Sequence, residues 1–280
     1  ADRFNTLQMG MVSSERVFKV LDTKDRIEDK GEQELSDVKG EIEFRNVTFG
    51  YLPDEAIIKN VSFKAAPGET LAIVGATGAG KSTIINLLGR FYEIWEGEIL
   101  LDGVDIRKIK LSSLRDSIAV VLQDVFLFSD SIKNNITLNK DISHEEVAEA
   151  AAFIGVSDFI ETLPDQYNYN VQERGNMLSV GQRQLLSFLR AYVSNPSVLV
   201  LDEATSSIDT QSEQLIQKAI EKITEGRTSV VIAHRLATIK KAHKILVMDH
   251  GKVVEEGTHD ELLAMEGFYT RLYTMQFSQN

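Results

Sequence analysis

The sequence predicts an α/β fold with a mostly parallel sheet. Strand-like runs follow one another early in the chain, which favours an antiparallel start, whereas later runs alternate with segments of helical periodicity. A long stretch from about 131 to 193 has helical spacing throughout. Together these observations predict one α/β domain with a helical subdomain, preceded by a separate N-terminal segment.

The N-terminal segment divides into a helix and a linker. Residues 1–21 predict an amphipathic helix, because large apolar side chains recur near one face. These side chains are Phe4, Leu7, Met11, Phe18 and Leu21. Residues 22–40 are charged and almost free of large apolar groups, which is typical of a linker.

The α/β domain is expected over residues 41–277. Its first strands are predicted at 42–49, 57–65, 69–74, 98–101 and 118–122, with a helix at 82–91. In the helical subdomain the periodicity predicts helices at 145–155, 156–163 and 181–193. The last part is predicted to contain strands at 198–202, 227–232, 244–248 and 252–255, a helix at about 210–224 and a closing helix. The alternation in this last part is what indicates a parallel sheet.

Composition and charge exclude several classes of function. The chain of 280 residues carries a formal net charge of −12, which argues against nucleic acid as a partner, since such binding needs a basic face. The absence of cysteine excludes disulfides, thiolate metal sites and thiol nucleophiles. No apolar run reaches the roughly 18 residues that a transmembrane helix needs. The charge does not exclude a single nucleotide, because a few backbone N–H groups and one lysine suffice to hold its phosphates.

Residues 75–82 read Gly-Ala-Thr-Gly-Ala-Gly-Lys-Ser and match the pattern of a phosphate-binding P-loop. A predicted strand precedes the motif and a predicted helix follows it, so that successive N–H groups and the helix N-terminus face the phosphates. Lys81 is expected to bridge the β- and γ-phosphates, and the Ser82 hydroxyl to bind Mg²⁺. The residues expected to hold the nucleotide here are Gly75, Ala76, Thr77, Gly78, Ala79, Gly80, Lys81, Ser82 and Thr83. The motif by itself indicates a P-loop NTPase.

The apolar run 198–202 ends in two adjacent carboxylates, Asp202 and Glu203. Ligands of open α/β sheets bind at the carboxyl ends of the strands. Asp202 is therefore expected to hold Mg²⁺ through water, as a Walker B aspartate does, and Glu203 to polarise the attacking water as general base. The alternative is that both residues only begin the next helix, since Asp-Glu before Ala-Thr-Ser is also a helix-start signal.

The segment Leu178-Ser179-Val180-Gly181-Gln182 resembles the signature of ABC transporters, which usually reads LSGGQ. The segment lies shortly before the carboxylate strand, and the resemblance extends in order over residues 40–277. It implies a RecA-like P-loop NTPase core with an antiparallel β-subdomain and an α-helical subdomain that carries the signature.

The resemblance also implies roles for further residues. Tyr51 matches the aromatic residue that stacks on adenine, and Gln123 matches the glutamine that senses Mg²⁺ and the γ-phosphate. His234 matches the switch histidine that contacts the γ-phosphate, and with Glu203 and Lys81 it completes the expected catalytic residues. Residues 207–209 look like the D-loop with Asp209, and residues 171–175 resemble the x-loop of exporters.

The family mechanism requires a second ATP-binding domain. Two such domains pair head to tail and sandwich two ATP molecules, each between the P-loop of one domain and the signature of the other. The resemblance thus implies Mg²⁺-dependent ATP hydrolysis that powers export through a transmembrane domain, with this domain at the cytoplasmic face of the membrane. Residues 1–21 would then be the cytoplasmic tail of a preceding transmembrane helix.

Two other functions are alternatives to export. A soluble ABC ATPase of DNA repair or translation typically has long coiled-coil insertions or tandem cassettes, and neither fits in 280 residues. An ATP-gated dimerisation module without turnover is the other alternative, and the presence of Glu203 and His234 counts against it.

Val180 departs from the family pattern, which has glycine at this position. A β-branched residue restricts the backbone, whereas glycine is favoured where the backbone must approach a ligand closely. The signature is donated to the partner's site, while the residues that serve the chain's own P-loop are all present. This combination predicts a non-identical partner domain, as in heterodimeric exporters. The alternative is a homodimer that tolerates valine.

Overall fold

Two β-sheets form the framework of the domain in the computed structural model, which describes residues 2–23, 27–202 and 210–277. The strands are β1 (Ile42–Phe49), β2 (Ile58–Ala65), β3 (Thr70–Gly75), β4 (Glu96–Leu101), β5 (Val104–Asp105), β6 (Ile118–Val121), β7 (Val198–Asp202), β8 (Thr228–Ile232), β9 (Lys244–Asp249) and β10 (Lys252–Gly257). The first sheet has the order β2-β1-β4-β5 and is antiparallel, and the second has the order β10-β9-β3-β8-β7-β6. The second sheet is parallel from β9 to β6, and β10 joins it antiparallel. This architecture confirms the predicted α/β fold with its mostly parallel sheet.

Helices precede the first sheet and cover the second. They are α1 (Asp2–Asp22), α2 (Lys81–Leu88), α3 (Leu111–Ser117), α4 (Ile132–Thr137), α5 (His144–Ile154), α6 (Ser157–Glu161), α7 (Val180–Val193), α8 (Thr210–Thr224), α9 (Leu236–Lys241), α10 (His259–Ala264) and α11 (Phe268–Phe277). Helices α4 to α7 occupy the stretch that the sequence assigns to the helical subdomain. Short 3₁₀ turns at Gln166–Asn168 and Glu173–Gly175 lie between α6 and α7.

The parallel sheet separates two hydrophobic cores, which explains why its strands are uninterrupted apolar runs. Alternate side chains of a strand point to opposite faces, so Leu71 and Ile73 of β3 pack with α2 and the antiparallel sheet. Their neighbours Ala72 and Val74 pack on the other face with α5, α7 and α8. The carboxyl ends of β3, β7 and β8 consequently share one edge between the two cores.

Several short elements were not predicted from the sequence. These are β5, α3, α4 and α9, and the predicted closing helix is divided into α10 and α11. A helix of six or seven residues has fewer than two turns, which is too short for an apolar period to show in the sequence. The predicted helix 82–91 ends earlier, at Leu88, with Gly89 as its C-cap.

Helix α1 exposes the apolar side chains that predicted an amphipathic helix. Phe4, Leu7, Met11, Phe18 and Leu21 are each between 61% and 71% exposed. Among the described residues, no helix has both the length and the apolar character needed to cross a membrane. The exposed side chains of α1 therefore have no apolar cover within this part of the chain.

The described part of the expected linker, residues 27–40, is docked on the domain. The Gln33 amide donates to the Lys108 carbonyl at 3.0 Å, and the Lys110 amide donates to the Gln33 carbonyl at 2.8 Å. The Asp29 carboxylate accepts from the Leu111 amide at 3.1 Å, at the beginning of α3. These bonds involve the backbone of the segment at least as much as its side chains, so its charged composition gave no sign of them.

Candidate functional site

The loop between β3 and α2 has the geometry of a phosphate-binding loop. A Cβ atom at Gly75 would lie 2.3 Å from the Met248 carbonyl oxygen, so this position has no room for a side chain. Gly80 is the N-cap of α2 with φ 100°, and a Cβ atom there would lie 2.8 Å from Cδ1 of Ile58. Between them Ala76, Thr77 and Gly78 are exposed. The loop thus presents backbone to solvent directly before a helix N-terminus, where anions bind.

Lys81 folds back over this loop. Its Nζ donates to the carbonyl oxygens of Gly75 at 2.8 Å and of Ala76 at 2.9 Å. Burial lowers the pKa of Lys81, and the carboxylate of Asp202 opposes that shift. The ammonium group is therefore held at the mouth of the loop, close enough to the carboxylate of Asp202 for the two charges to interact.

Asp202 lies at the end of β7 and is the centre of a charged cluster. Burial raises its pKa, while His234, Lys81 and a hydrogen bond with Ser82 act in the opposite direction. The nearby carboxylate of Asp124 raises the pKa of Asp202 further. The cluster forms because β3, β8 and β7 are neighbours in the sheet and present their carboxyl ends at one edge.

His234 follows β8 by two residues and completes this cluster. Desolvation lowers its pKa, the positive charge of Lys81 lowers it further, and Asp202 raises it. The lowered pKa favours the neutral imidazole near pH 7, with one nitrogen as donor and the other as acceptor.

Tyr51 stands beside α2, two residues after β1. Its ring is nearly perpendicular to Phe49, at a centroid distance of 5.0 Å, and to Tyr92, at 4.9 Å. The Tyr51 hydroxyl donates to Thr83 Oγ1 at 3.3 Å and accepts from Asn86 Nδ2 at 3.1 Å. About two fifths of the tyrosine (41%) is exposed, so a ring surface remains available beside the P-loop.

Gln123 lies on the loop that follows β6, with its side chain exposed. The strand ends at Val121, one residue earlier than the sequence predicted. Because Asp124 acts on the pKa of Asp202, this loop borders the charged cluster. The structure thus brings Lys81, Ser82, Asp202 and His234 together and places Gln123 on the loop beside them.

The signature-like segment forms the beginning of α7. Ser179 is the N-cap: its Oγ accepts from the Gln182 amide at 3.1 Å, and Gln182 Oε1 accepts from the Ser179 amide at 2.9 Å. This capping box was missed in the sequence, although Ser-x-x-Gln before a helix is its usual pattern. The helix begins at Val180, one residue earlier than predicted. Leu178 and Gly181 are buried, whereas Val180 is 48% exposed.

Comparison with known proteins decides the family. A protein-family model with the description ABC transporter matches residues 58–206, which is more than half of the chain. The chain belongs to the ABC transporter family. The chain is therefore an ABC transporter ATP-binding domain, and ATP is the nucleotide that this family binds.

Individual relatives agree with this assignment. The chain is 47% identical over 277 residues to the uncharacterized ABC transporter ATP-binding protein YknV of Bacillus subtilis, covering 98% of this chain and 46% of that protein. It is 47% identical over 273 residues to the fatty acid ABC transporter ATP-binding/permease protein of Mycobacterium bovis, covering 97% and 43%. A bacterial Atm1-family ABC exporter, solved with ATP bound, matches with a TM-score of 0.86 and 41% identity, covering 98% and 48%. The chain thus spans about half the length of the curated relatives it matches.

Some expected site residues of this ABC domain lie outside the described residues. These are Glu203 and the D-loop residue Asp209. Two further residues that act on the site were not predicted from the sequence. Asn86 contacts Tyr51 from α2, and Asp124 acts on Asp202 from the loop after β6. The spacing of Thr83 and Asn86, three residues apart on a predicted helix, was the available signal for the first.

An apolar groove adjoins the ATP site of this ABC domain. It has a volume of about 530 Å³ and lies between β6, the loop after it, α4 and α7. Phe126 and Phe128 of that loop are 54% and 55% exposed, with rings 5.1 Å apart and perpendicular. Arg190 supports the loop from α7, because its guanidinium donates to the Phe126 carbonyl at 3.2 Å. One loop therefore carries both Gln123, beside the ATP site, and the aromatic wall of the groove.

Proposed function

We propose that this chain binds ATP between its P-loop and Tyr51, hydrolyses it, and thereby drives export through a transmembrane domain at the cytoplasmic face of a membrane. The observation that carries the proposal is the cluster of Lys81, Ser82, Asp202 and His234 at the mouth of the P-loop. Membership of the ABC transporter family and the likeness to an exporter solved with ATP bound support it.

Phosphate binding rests on residues 75–83. The N–H groups of the loop and the first turn of α2 supply donors, and the Lys81 ammonium supplies the positive charge. In the structure that ammonium is bonded to the carbonyl oxygens of Gly75 and Ala76, which are weaker partners than a phosphate. We therefore propose that Lys81 exchanges these carbonyls for β- and γ-phosphate oxygens when ATP binds.

The residues beside Lys81 fit a magnesium ion. Ser82 supplies a hydroxyl and Asp202 a carboxylate, the two side chains are close enough for Ser82 to lower the pKa of Asp202, and oxygen ligands are those that Mg²⁺ prefers. Gln123, on the bordering loop, adds an amide oxygen. When bound, the ion neutralises negative charge on the phosphate oxygens. The half-buried carboxylate of Asp202 suits this role, because burial disfavours its charged form and a bound cation would favour it.

We propose that hydrolysis uses Glu203 and His234. A water molecule attacks the γ-phosphorus, Glu203 accepts the proton of that water, and the bond from the γ-phosphorus to the β-γ bridging oxygen breaks to leave ADP. The neutral imidazole of His234 donates a hydrogen bond to the γ-phosphate without adding a second cation beside Lys81. These roles come from the family pattern and agree with the position of His234 in the cluster.

A second ATP-binding domain is part of the proposal. The capping box fixes Ser179 and Gln182 at the N-terminus of α7, which is the end of a helix that attracts anions. Val180 is half-exposed on the same turn, so a molecule docked there reaches it. We propose that this turn covers the γ-phosphate held by the partner domain, while the partner's signature covers ATP on this chain's P-loop.

We further propose that the partner domain is not identical to this one. At Val180 a branched side chain projects from the turn where the family has glycine, so the donated site is altered while the chain's own site keeps its residues. Purification of the complete transporter from its native host, followed by mass spectrometry, tests the proposal. We expect two different ATP-binding chains, and a single polypeptide in the active transporter would show a homodimer instead.

The apolar groove is proposed as the docking surface of the transmembrane domain. Its loop continues into Gln123, so a segment seated against Phe126 and Phe128 is connected to the ATP site through a few residues of backbone. The chain has no cysteine, which makes single-cysteine cross-linking direct. We expect Phe128→Cys to cross-link to a cysteine scan of the transmembrane domain. Asn168→Cys, an exposed position outside the groove, is the control, and equal yields at both positions would contradict the assignment.

Loss of Lys81 tests the function as a whole. In the purified transporter, Lys81→Ala should abolish ATP hydrolysis and ATP-dependent transport together, because the phosphates lose their only side-chain cation at the loop. Export that continues without hydrolysis would refute the proposal. A native complex, purified from the host, that hydrolyses ATP and contains no transmembrane chain would favour a soluble ABC ATPase.

A further inference from the structure

The orientation of the Tyr51 ring is fixed at three points. Phe49 and Tyr92 hold the ring at nearly perpendicular angles of 86° and 81°. The third point is the hydroxyl at the far end of the ring, which is bonded to the side chains of Thr83 and Asn86. The aromatic contacts locate the ring, and the hydroxyl bonds determine its tilt relative to α2.

Of the two hydroxyl bonds, the one with Asn86 has the better length. It measures 3.1 Å, whereas the bond to Thr83 measures 3.3 Å, beyond the usual range for two hydroxyl groups. Thr83 and Asn86 lie about one turn apart on α2 and face the same side. Without Asn86, the hydroxyl would keep only the weaker bond and the ring would gain freedom to tilt.

We infer that Asn86 is a positioning residue for the nucleotide base, because it holds Tyr51 in the tilt at which the ring accepts adenine. The inference rests on the proposed contact between Tyr51 and the base. Stacking requires the ring plane to be parallel to the base, so a ring that is already immobilised loses less conformational entropy on binding. Asn86 acts on the base alone, while the phosphates depend on the preceding turn of α2.

The side chain of Asn86 can be removed without disturbing the helix. Its backbone carbonyl accepts from the Phe91 amide at 2.9 Å, and this bond does not involve the side chain. Alanine also has a higher helix propensity than asparagine. Asn86→Ala should therefore fold normally, and its effect should be confined to the Tyr51 hydroxyl.

A double-mutant cycle in the purified transporter tests the inference. Asn86→Ala and Tyr51→Phe should each raise KM for ATP about 2- to 10-fold with kcat retained, which is the cost of immobilising one side chain on binding. The double variant should have the same KM for ATP as Tyr51→Phe, because Asn86 acts only through the tyrosine hydroxyl. Inhibition by tripolyphosphate, which has no base, should be unchanged in all three. Asn168→Ala, at an exposed position away from the site, is the control for the substitution type.

Tyr51→Ala distinguishes failure of this inference from failure of the proposed base contact. If Tyr51→Ala raises KM for ATP but Asn86→Ala does not, Asn86 has no positioning role. If Asn86→Ala weakens the binding of tripolyphosphate as well as that of ATP, Asn86 acts through the P-loop helix and the inference is overturned. The same holds if its effect on KM adds fully to that of Tyr51→Phe. If Tyr51→Ala leaves KM for ATP unchanged, the base contact itself is wrong, and the inference falls with it.

Discussion

A methyl group at Gly75 would lie 2.3 Å from the carbonyl oxygen of Met248, closer than the 3.0 Å below which real Cβ contacts essentially never occur. That oxygen cannot easily move away, because Met248 is the register partner of Gly75 where β9 pairs with β3. Gly75→Ala must therefore displace the first residue of the P-loop. Since the Gly75 carbonyl accepts from Lys81 Nζ, the displacement also moves the lysine.

Gly75→Ala should lower the free energy of unfolding by about 2–4 kcal/mol. Overpacking contributes to this loss, and so does a backbone conformation that L-residues rarely adopt. Gly68→Ala is the matched control: Gly68 also has positive φ, at 77°, but a Cβ atom there meets nothing within 4 Å. The free energy of unfolding of Gly68→Ala should fall by only about 1 kcal/mol, which is the cost of placing alanine in a left-handed backbone conformation. For a domain of this size each kcal/mol lowers Tm by about 2–4 °C.

Thermal unfolding of the two variants beside the unmodified chain measures this difference, and an ATP titration measures the effect on the site. Gly75→Ala should unfold several degrees below Gly68→Ala and should bind ATP more weakly. Gly68→Ala should bind ATP normally, because Gly68 precedes β3 at the end of the strand away from the P-loop. Equal stability of the two variants would show that the Met248 carbonyl is not fixed, and the argument from close packing would then be wrong.

Three further outcomes are expected. Glu203→Gln should leave ATP binding nearly intact and lower turnover by ~10²–10⁴, the usual contribution of a general base, and near-normal phosphate release would remove Glu203 from that role. The isolated chain should be mostly monomeric by sizing chromatography, with an ATPase rate per domain that rises with protein concentration; a high, concentration-independent rate would mean that one domain suffices. Burial raises the pKa of Asp202, so its carboxyl group keeps a proton up to a higher pH than an ordinary aspartate. The Mg²⁺ concentration for half-maximal hydrolysis should therefore rise as the pH is lowered from 7 towards 5, and a Mg²⁺ requirement that is independent of pH would contradict this.

Long elements with a strong pattern were predicted closely from the sequence. Strand β1 has the predicted bounds, 42–49, and α8 has the predicted range, 210–224. Strand β1 alternates buried and more exposed residues on both sides of a bulge between Phe44 and Val47, and α8 keeps a helical period along its length. Both patterns can be recognised from neighbouring residues alone. Helix α4 is different: it has six residues and begins at the Ser131 cap, whose Oγ accepts from the Asn134 amide. Such a helix is specified by its cap and its packing more than by a period.

In the site, too, the contacts that could not be predicted are those between residues far apart in the sequence. The P-loop and the Walker B aspartate were recognised because each is a contiguous motif beside a strand. The contact between Tyr51 and Asn86 joins residues 35 positions apart and depends on how β1 approaches α2. The docked segment 27–40 also depends on long-range contacts, since its hydrogen bonds to residues 108–111 cannot be inferred from its composition.

Helix α2 links the two halves of the nucleotide site. Its first turn carries Ser82, which acts on the pKa of Asp202, and Thr83, and the next turn carries Asn86; the Tyr51 hydroxyl is bonded to both Thr83 and Asn86. The inner face of α2 is buried in the core between the two sheets, and this packing holds the helix in place. The distance from the phosphate end of the site to the base end is therefore set within one short helix. A ligand that engages both ends must match that distance, which favours a complete nucleotide over either a free base or a free triphosphate.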